Sequence, residues 1–114
     1  MTSEDFRNIA LSFPETSEQS HQGHPDFRVG GKIFATLGYP KVRWGMVKLT
    51  PEQQAEFVHD EPTVFVPVKG AWGRKGATNV ILSPAKKAVL RTALYAAWRN
   101  QPPKRISEQF KEAI

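Results

Sequence analysis

Cysteine is absent from the whole chain of 114 residues, so there is neither a disulfide to staple the fold nor a thiol to serve as nucleophile or metal ligand. That usage fits a reducing cytosol. Long apolar runs are missing too. No segment approaches the roughly 18 consecutive apolar residues of a membrane span, and Met1-Thr2-Ser3-Glu4-Asp5 lacks the basic start and apolar stretch of a secretory signal. A soluble, cytoplasmic protein is expected. Internal repeats and low-complexity tracts are lacking as well. The last absence is of negative charge: no Asp or Glu lies between Pro62 and Ser107, a stretch that holds Lys69, Arg74, Lys75, Lys86, Lys87, Arg91, Arg99, Lys104 and Arg105.

What is present is a net charge of +5 that is unevenly spread. Glu4, Asp5, Glu15, Glu18, Asp26, Glu52, Glu56 and Asp60 precede Glu61, while Glu108 and Glu112 sit in the tail. Such asymmetry predicts one cationic face, whose field favours polyanions and speeds their encounter. The length suits a single domain, expected over residues 1–114, that buries roughly two thirds of the surface of its unfolded chain.

The order of elements follows from periodicity and punctuation. Phe6, Ile9, Ala10 and Phe13 recur at helical spacing, so a first helix is expected from about Ser3 to Ser12, with Thr2 and Asp5 as a capping pair and Pro14 as its stop. Thr16 to His24 is polar and weakly patterned, either a loop or an edge strand. Two β-prone runs around Gly30-Gly31 read as a hairpin, since the glycines can take the positive φ of a tight turn. A third strand, Val42 to Leu49, puts Val42, Trp44 and Met46 on one face.

Thr50-Pro51-Glu52-Gln53 announces a second helix, which ends near Asp60. Thr63 to Val68 alternates Val64, Val66 and Val68, and Pro67 makes this strand short or an edge. Trp72-Gly73-Arg74-Lys75-Gly76 reads as a basic turn and Ala77 to Leu82 as the last strand. Ser83-Pro84 is the expected start of a third helix that buries Val89, Leu90, Ala93, Leu94, Ala97 and Trp98 and stops at Pro102-Pro103, leaving a tail expected to be flexible. The fold class is therefore α+β, a mostly antiparallel sheet with three helices packed on it.

The run Gly23-His24-Pro25-Asp26-Phe27-Arg28-Val29-Gly30-Gly31-Lys32-Ile33-Phe34-Ala35-Thr36-Leu37, with Lys48-Leu49-Thr50-Pro51-Glu52 and Trp72-Gly73-Arg74-Lys75-Gly76-Ala77-Thr78, resembles the MmcQ/YjbR family of small bacterial proteins. The resemblance covers nearly the whole chain. It implies a fold like that of the CyaY/frataxin group, also described as a double wing, from which DNA binding has been inferred by structural analogy. It brings no catalytic or cofactor residues with it. An iron-binding acidic ridge on the first helix, with only Glu4, Asp5, Glu15 and Glu18 to supply it, is not expected.

Several constellations carry chemistry. Lys87, Arg91, Tyr95 and Arg99 are four apart and form a stripe on the third helix with Lys86 beside its start; an aromatic in a cationic stripe suits a phosphate backbone, and a solvated helix face has the same pattern. Lysines at a helix start oppose the macrodipole, which makes sense if an anion binds there. Arg74 and Lys75 lie in a glycine-flanked loop able to approach a phosphate, or in a hairpin turn kept soluble by charge. The loop lacks the spacing of a nucleotide P-loop.

His21, His24 and Asp26 are close in sequence but lack metal-ligand spacing, so no metal is expected; His24 is expected to pack near Phe27. Trp44 and Trp98 are placed in the core and Trp72 partly outside it. No Ser-His-Asp set exists, and no cofactor is implied. The expected function is a monomeric, non-enzymatic module binding nucleic acid, DNA foremost, through Arg74, Lys75, Lys86, Lys87, Arg91, Tyr95 and Arg99. The alternative is a protein-interaction module or one for a small phosphorylated ligand, with the sheet or Trp72 as its pocket.

Overall fold

In a computed structural model the chain folds as an antiparallel six-stranded sheet with helices. Residues 1–101 are described, so the expectations placed on Pro102, Pro103, Lys104, Arg105 and the tail lie outside the described residues. The elements are α1 (Ser3–Leu11), β1 (Thr16–His21), β2 (His24–Val29), β3 (Lys32–Leu37), β4 (Trp44–Lys48), α2 (Pro51–Asp60), β5 (Phe65–Pro67), α3 (Ala71–Arg74), β6 (Ala77–Ile81) and α4 (Lys87–Asn100). The strand order is β1-β2-β3-β4-β6-β5.

Local signals explain most of the boundaries. Asp5 N–H donates to Thr2 Oγ1 and Thr2 N–H to Asp5 Oδ2, and Thr50 and Gln53 make the same reciprocal pair at the start of α2. Gly30 and Gly31 have φ of 59° and 78°, the signs a two-residue hairpin of matching twist requires. Residues Gln22 and Gly23 repeat that geometry between β1 and β2, so the polar Thr16–His21 segment is an edge strand. Its side chains alternate no hydrophobic face because almost all of them stay in solvent. Pro67 lies on β5, the opposite edge, where a missing N–H is tolerated.

Helices α1 and α4 pack together on one side of the sheet and α2 covers its β5–β6 end. Phe6, Phe27, Phe34, Leu90, Leu94 and Trp98 form the centre of the core, and Trp98 Nε1 donates to Pro14 O at 3.0 Å, so the indole is buried without an unmet donor.

Four expectations need correction. There are four helices, because Trp72 to Arg74 winds into the short α3 instead of a hairpin turn; Gly73 sits so close to Val68 that a Cβ would lie 1.6 Å from its carbonyl oxygen. Ser83-Pro84 forms a turn closed by Ala85 N–H to Leu82 O, and α4 begins two residues after Ala85 with Lys86 as a cap that makes no side-chain hydrogen bond. The phase of β4 is inverted. Gly45, Val47 and Leu49 face the helices, while Trp44 and Met46 face the other way and Val42 precedes the strand in solvent. The ring of Phe6 occupies the space above Gly45, where an added Cβ would come within 2.7 Å of it. Finally, the 64–68 run does not keep its valines on one side: Val64 is buried ahead of β5, and within the strand it is Phe65 that faces inward.

Candidate functional site

The basic residues of α4 are positioned by the apolar residues between them. Burying Leu90, Ala93, Leu94, Ala97 and Trp98 against the sheet and α1 turns Lys87, Arg91 and Arg99 outward, and all three are exposed, as is Lys86. The Arg91 guanidinium lies 5.4 Å from the Phe13 ring centre. Tyr95 is half-buried: its ring packs on Phe13 and lies nearly parallel to Trp98, and its hydroxyl accepts from Arg99 at 3.3 Å. This ring is engaged by the core, so Tyr95 offers its hydroxyl edge to the stripe and not a stacking face.

At the start of α4, Lys87 and Arg91 border a shallow cleft of about 300 Å³ shared with Asp5, Asn8 and Ser12 of the α1 region. The amino terminus lies beside it and donates to Leu82 O and Ala85 O. Hydrogen bonds from Thr2 hold the Asp5 carboxyl below its usual range, with Lys87 a smaller contributor. Lys87 therefore has the Asp5 carboxylate within its field, beyond hydrogen-bond distance.

Among the described residues, no helix packs flat upon the opposite side of the sheet. Register sets Thr36, Met46, Asn79 and Val66 in one row across β3, β4, β6 and β5. This row is the floor of an open groove of about 910 Å³. Tyr39 and Trp44 line it together with Trp72 from α3, and Lys41, Lys48 and Lys69 bring positive charge. The Lys41 ammonium lies 5.2 Å from the Trp44 ring centre; those of Lys48 and Lys75 lie 5.7 and 5.9 Å from Trp72. Trp72 is 65% exposed and Tyr39 63%.

One end of this groove is polar. His21 and His24 are register partners flanking the Gln22-Gly23 turn, and both line the groove. The Asp26 side chain is wholly buried and held by His21 and Arg28: Arg28 Nε donates to Oδ1 at 2.8 Å, its second nitrogen to Oδ2 at 3.2 Å, and His21 Nδ1 to Oδ2 at 2.8 Å. The Arg28 guanidinium, helped by His21, holds the Asp26 carboxyl below the usual carboxylate range although burial opposes this. Asp26 in turn raises Arg28 further. His24 does not pack on Phe27, which faces the helices; its ring meets Tyr39 edge-on at 5.6 Å. Among the described residues no three His, Asp or Glu side chains converge at metal-binding distances.

The seven residues expected at the site thus divide. Lys86, Lys87, Arg91, Tyr95 and Arg99 share the helical side of the molecule, whereas Lys75 belongs with Trp72 and the groove, and Arg74 is exposed on α3 beside it. Among the described residues, none of Lys69, Arg74, Lys75, Lys86, Lys87, Arg91 and Arg99 makes an ion pair with a carboxylate. Sequence reasoning missed most of the groove because it assigned Trp44 and Met46 to the core. The polar Lys48 and Asn79, in register with the outward row, are the signal that marks the true outer face.

Comparison with known proteins adds a family and a fold. The sequence model of the YjbR family matches residues 11–100. Among solved structures, that of the Deinococcus radiodurans protein DR2400, described as a DUF419 domain, aligns with a TM-score of 0.73 at 18% identity, covering 87% of this chain and 77% of that one. At that identity the likeness is one of fold. No curated protein matches the chain significantly.

Proposed function

The chain belongs to the YjbR family, and on that premise we propose that it is a cytoplasmic, monomeric module that binds nucleic acid, DNA foremost, through phosphate contacts and without catalysis. The observation that carries this reading is that, among the described residues, seven exposed cations after Pro62 lack an ion pair with a carboxylate; three of them ride on α4 and Lys86 caps its start. Exposed lysines and arginines without carboxylate partners cost little to bring to a phosphate, since no existing ion pair must be broken. Contacts of this kind hold a protein on a duplex without reading its bases. Among the described residues no helix is long and apolar enough to cross a membrane, which fits the proposed location.

The test is fluorescence anisotropy with a mixed-sequence duplex across a salt series. Log affinity should fall linearly with log salt by about 0.9 per phosphate neutralised, and Lys87→Glu/Arg91→Glu should flatten that slope by about 1.8. No binding at low salt, or an unchanged slope in the double variant, would sink the proposal. A second reading rests on the groove: aromatic walls beside lysines also suit a small phosphorylated ligand. Saturation at one equivalent with a shallow salt dependence distinguishes it.

A further inference from the structure

The open groove is a different surface from the α4 stripe, and its chemistry is more specific. We infer that this face of the sheet binds single-stranded nucleic acid, stacking unpaired bases on Trp72, Trp44 and Tyr39 while lysines along the rim meet the phosphates. The inference does not rest on the duplex reading, because it draws on none of the α4 residues.

Three observations lead to it. The first is charge complementarity. Lys41, Lys48 and Lys69 line the groove and Lys75 leans over Trp72, whereas the one carboxylate that the described strands place on this face, Asp26, is buried and spent on Arg28 and His21. An anionic occupant is favoured, since among the described residues no Asp or Glu lines the groove.

The second is the nature of the apolar surface. Ile33, Met46, Val66 and Val68 line the groove and are half-exposed, as Trp44 is, but the most exposed apolar groups on it are the rings of Trp72 and Tyr39. Such rings stack on any base, because every base has a π-face. The ammonium groups of Lys41, Lys48 and Lys75 rest within 6 Å of these same rings. An exposed cation–π contact is weaker than base stacking, so a base can displace the ammonium, which then lies next to the incoming backbone.

The third is length. Trp44 opens β4 and Lys48, whose ammonium lies over Trp72, closes it. Four steps of strand lie between the two positions, roughly 13 Å at about 3.3 Å per residue. The groove that holds both indoles is therefore longer than one base. Several successive bases of one strand can span it, at a rise of about 3.4 Å when stacked. A duplex cannot use the rings, since its bases are already stacked on one another.

The experiment uses the full chain and a fluorescein-labelled oligothymidylate of about twelve nucleotides, read by anisotropy and by tryptophan quenching. Binding with quenching is expected. Trp72→Ala should weaken it about tenfold and Trp72→Phe should restore most of the loss, a pattern that stacking produces. Lys48→Glu/Lys69→Glu should flatten the salt slope by about 1.4, at roughly 0.7 per phosphate on a single strand. The proposal is overturned if Trp72→Ala binds as tightly as the parent, if thymidine monophosphate competes at the same concentration as the oligomer, or if polyglutamate displaces the oligomer equally well. An oligomer affinity that falls with Lys87→Glu/Arg91→Glu and not with Trp72→Ala rejects the groove and leaves the α4 reading standing. Duplex binding lost while oligomer binding persists has the opposite meaning.

Discussion

The two faces of one sheet differ in how they solve the same problem. On the inner face Phe27, Phe34, Val47, Phe65 and Val80 are almost wholly inaccessible, covered by Phe6, Leu90, Leu94 and Trp98. On the outer face the alternate residues of the same strands stay half-exposed, and the one fully buried side chain there is charged, Asp26 held by Arg28 and His21. Stability is concentrated on the first face because burial of apolar surface is what stabilises. The second face is free to keep exposed tryptophan, and an exposed aromatic patch rimmed by cations is the kind of surface that monomeric proteins retain for recognition. A strand residue's value to the protein therefore depends on its phase more than on its type.

Breaking the inner face should have the largest effect. Trp98→Ala removes a buried indole that packs on Phe13 and bonds to Pro14 O, and a loss of about 3–5 kcal/mol in urea unfolding is expected. A loss below about 1 kcal/mol would mean that α4 is not part of the cooperative core.

Next comes the one buried charge of the outer face. Arg28→Ala strands the Asp26 carboxylate with His21 alone and should lower stability at neutral pH, by less than Trp98→Ala does, in the same urea unfolding measurement. The sign of its pH dependence follows from the depressed Asp26 value. Stability from this carboxylate is full above the unfolded value of about 3.9 and is lost as pH falls through the lower native value. Unfolding curves of the parent and of Asp26→Asn should therefore differ most at neutral pH and converge in acid. A gap that stays constant down to acid would show that ionisation of Asp26 contributes nothing.

The smallest effect sharpens the contrast. Trp72→Ala deletes the same indole as Trp98→Ala from a site that is 65% exposed, and its stability change should stay within about 0.5 kcal/mol. Equal losses from the two tryptophans would erase the distinction between the faces.

Much of the architecture was legible before the structure, and for identifiable reasons. The caps at Thr2 and Thr50, the Gly30-Gly31 hairpin and the edge position of the Pro67 strand each rest on chemistry within a few residues. The buried side of α4 was legible from its 3.6-residue period, and so were its exposed basic residues. The strand at Thr16–His21 was only half legible, because an edge strand in solvent has no hydrophobic alternation to detect. The groove was legible only in part: Trp72 was expected outside the core and the sheet was a possible pocket wall, but Trp44 and Met46 were assigned to the core. Alternation in β4 shows that Trp44 and Met46 share one face and Val47 and Leu49 the other, and larger side chains on the first made it look like the inside.

What the sequence determined by itself is local: where most helices and strands begin and stop, which turn the Gly30-Gly31 pair can make, and that the cations from Lys69 to Arg99 have no acids near them along the chain. Which face of β4 turns inward was decided only by the tertiary structure, because the Phe6 ring of α1 requires the absence of a side chain at Gly45. The same holds for the distribution of the basic residues between two sides of the molecule and for the meeting of Trp44, Trp72 and their lysines. Periodicity fixes which residues of one strand share a side, but the choice between the two sides belongs to contacts made by residues distant in sequence.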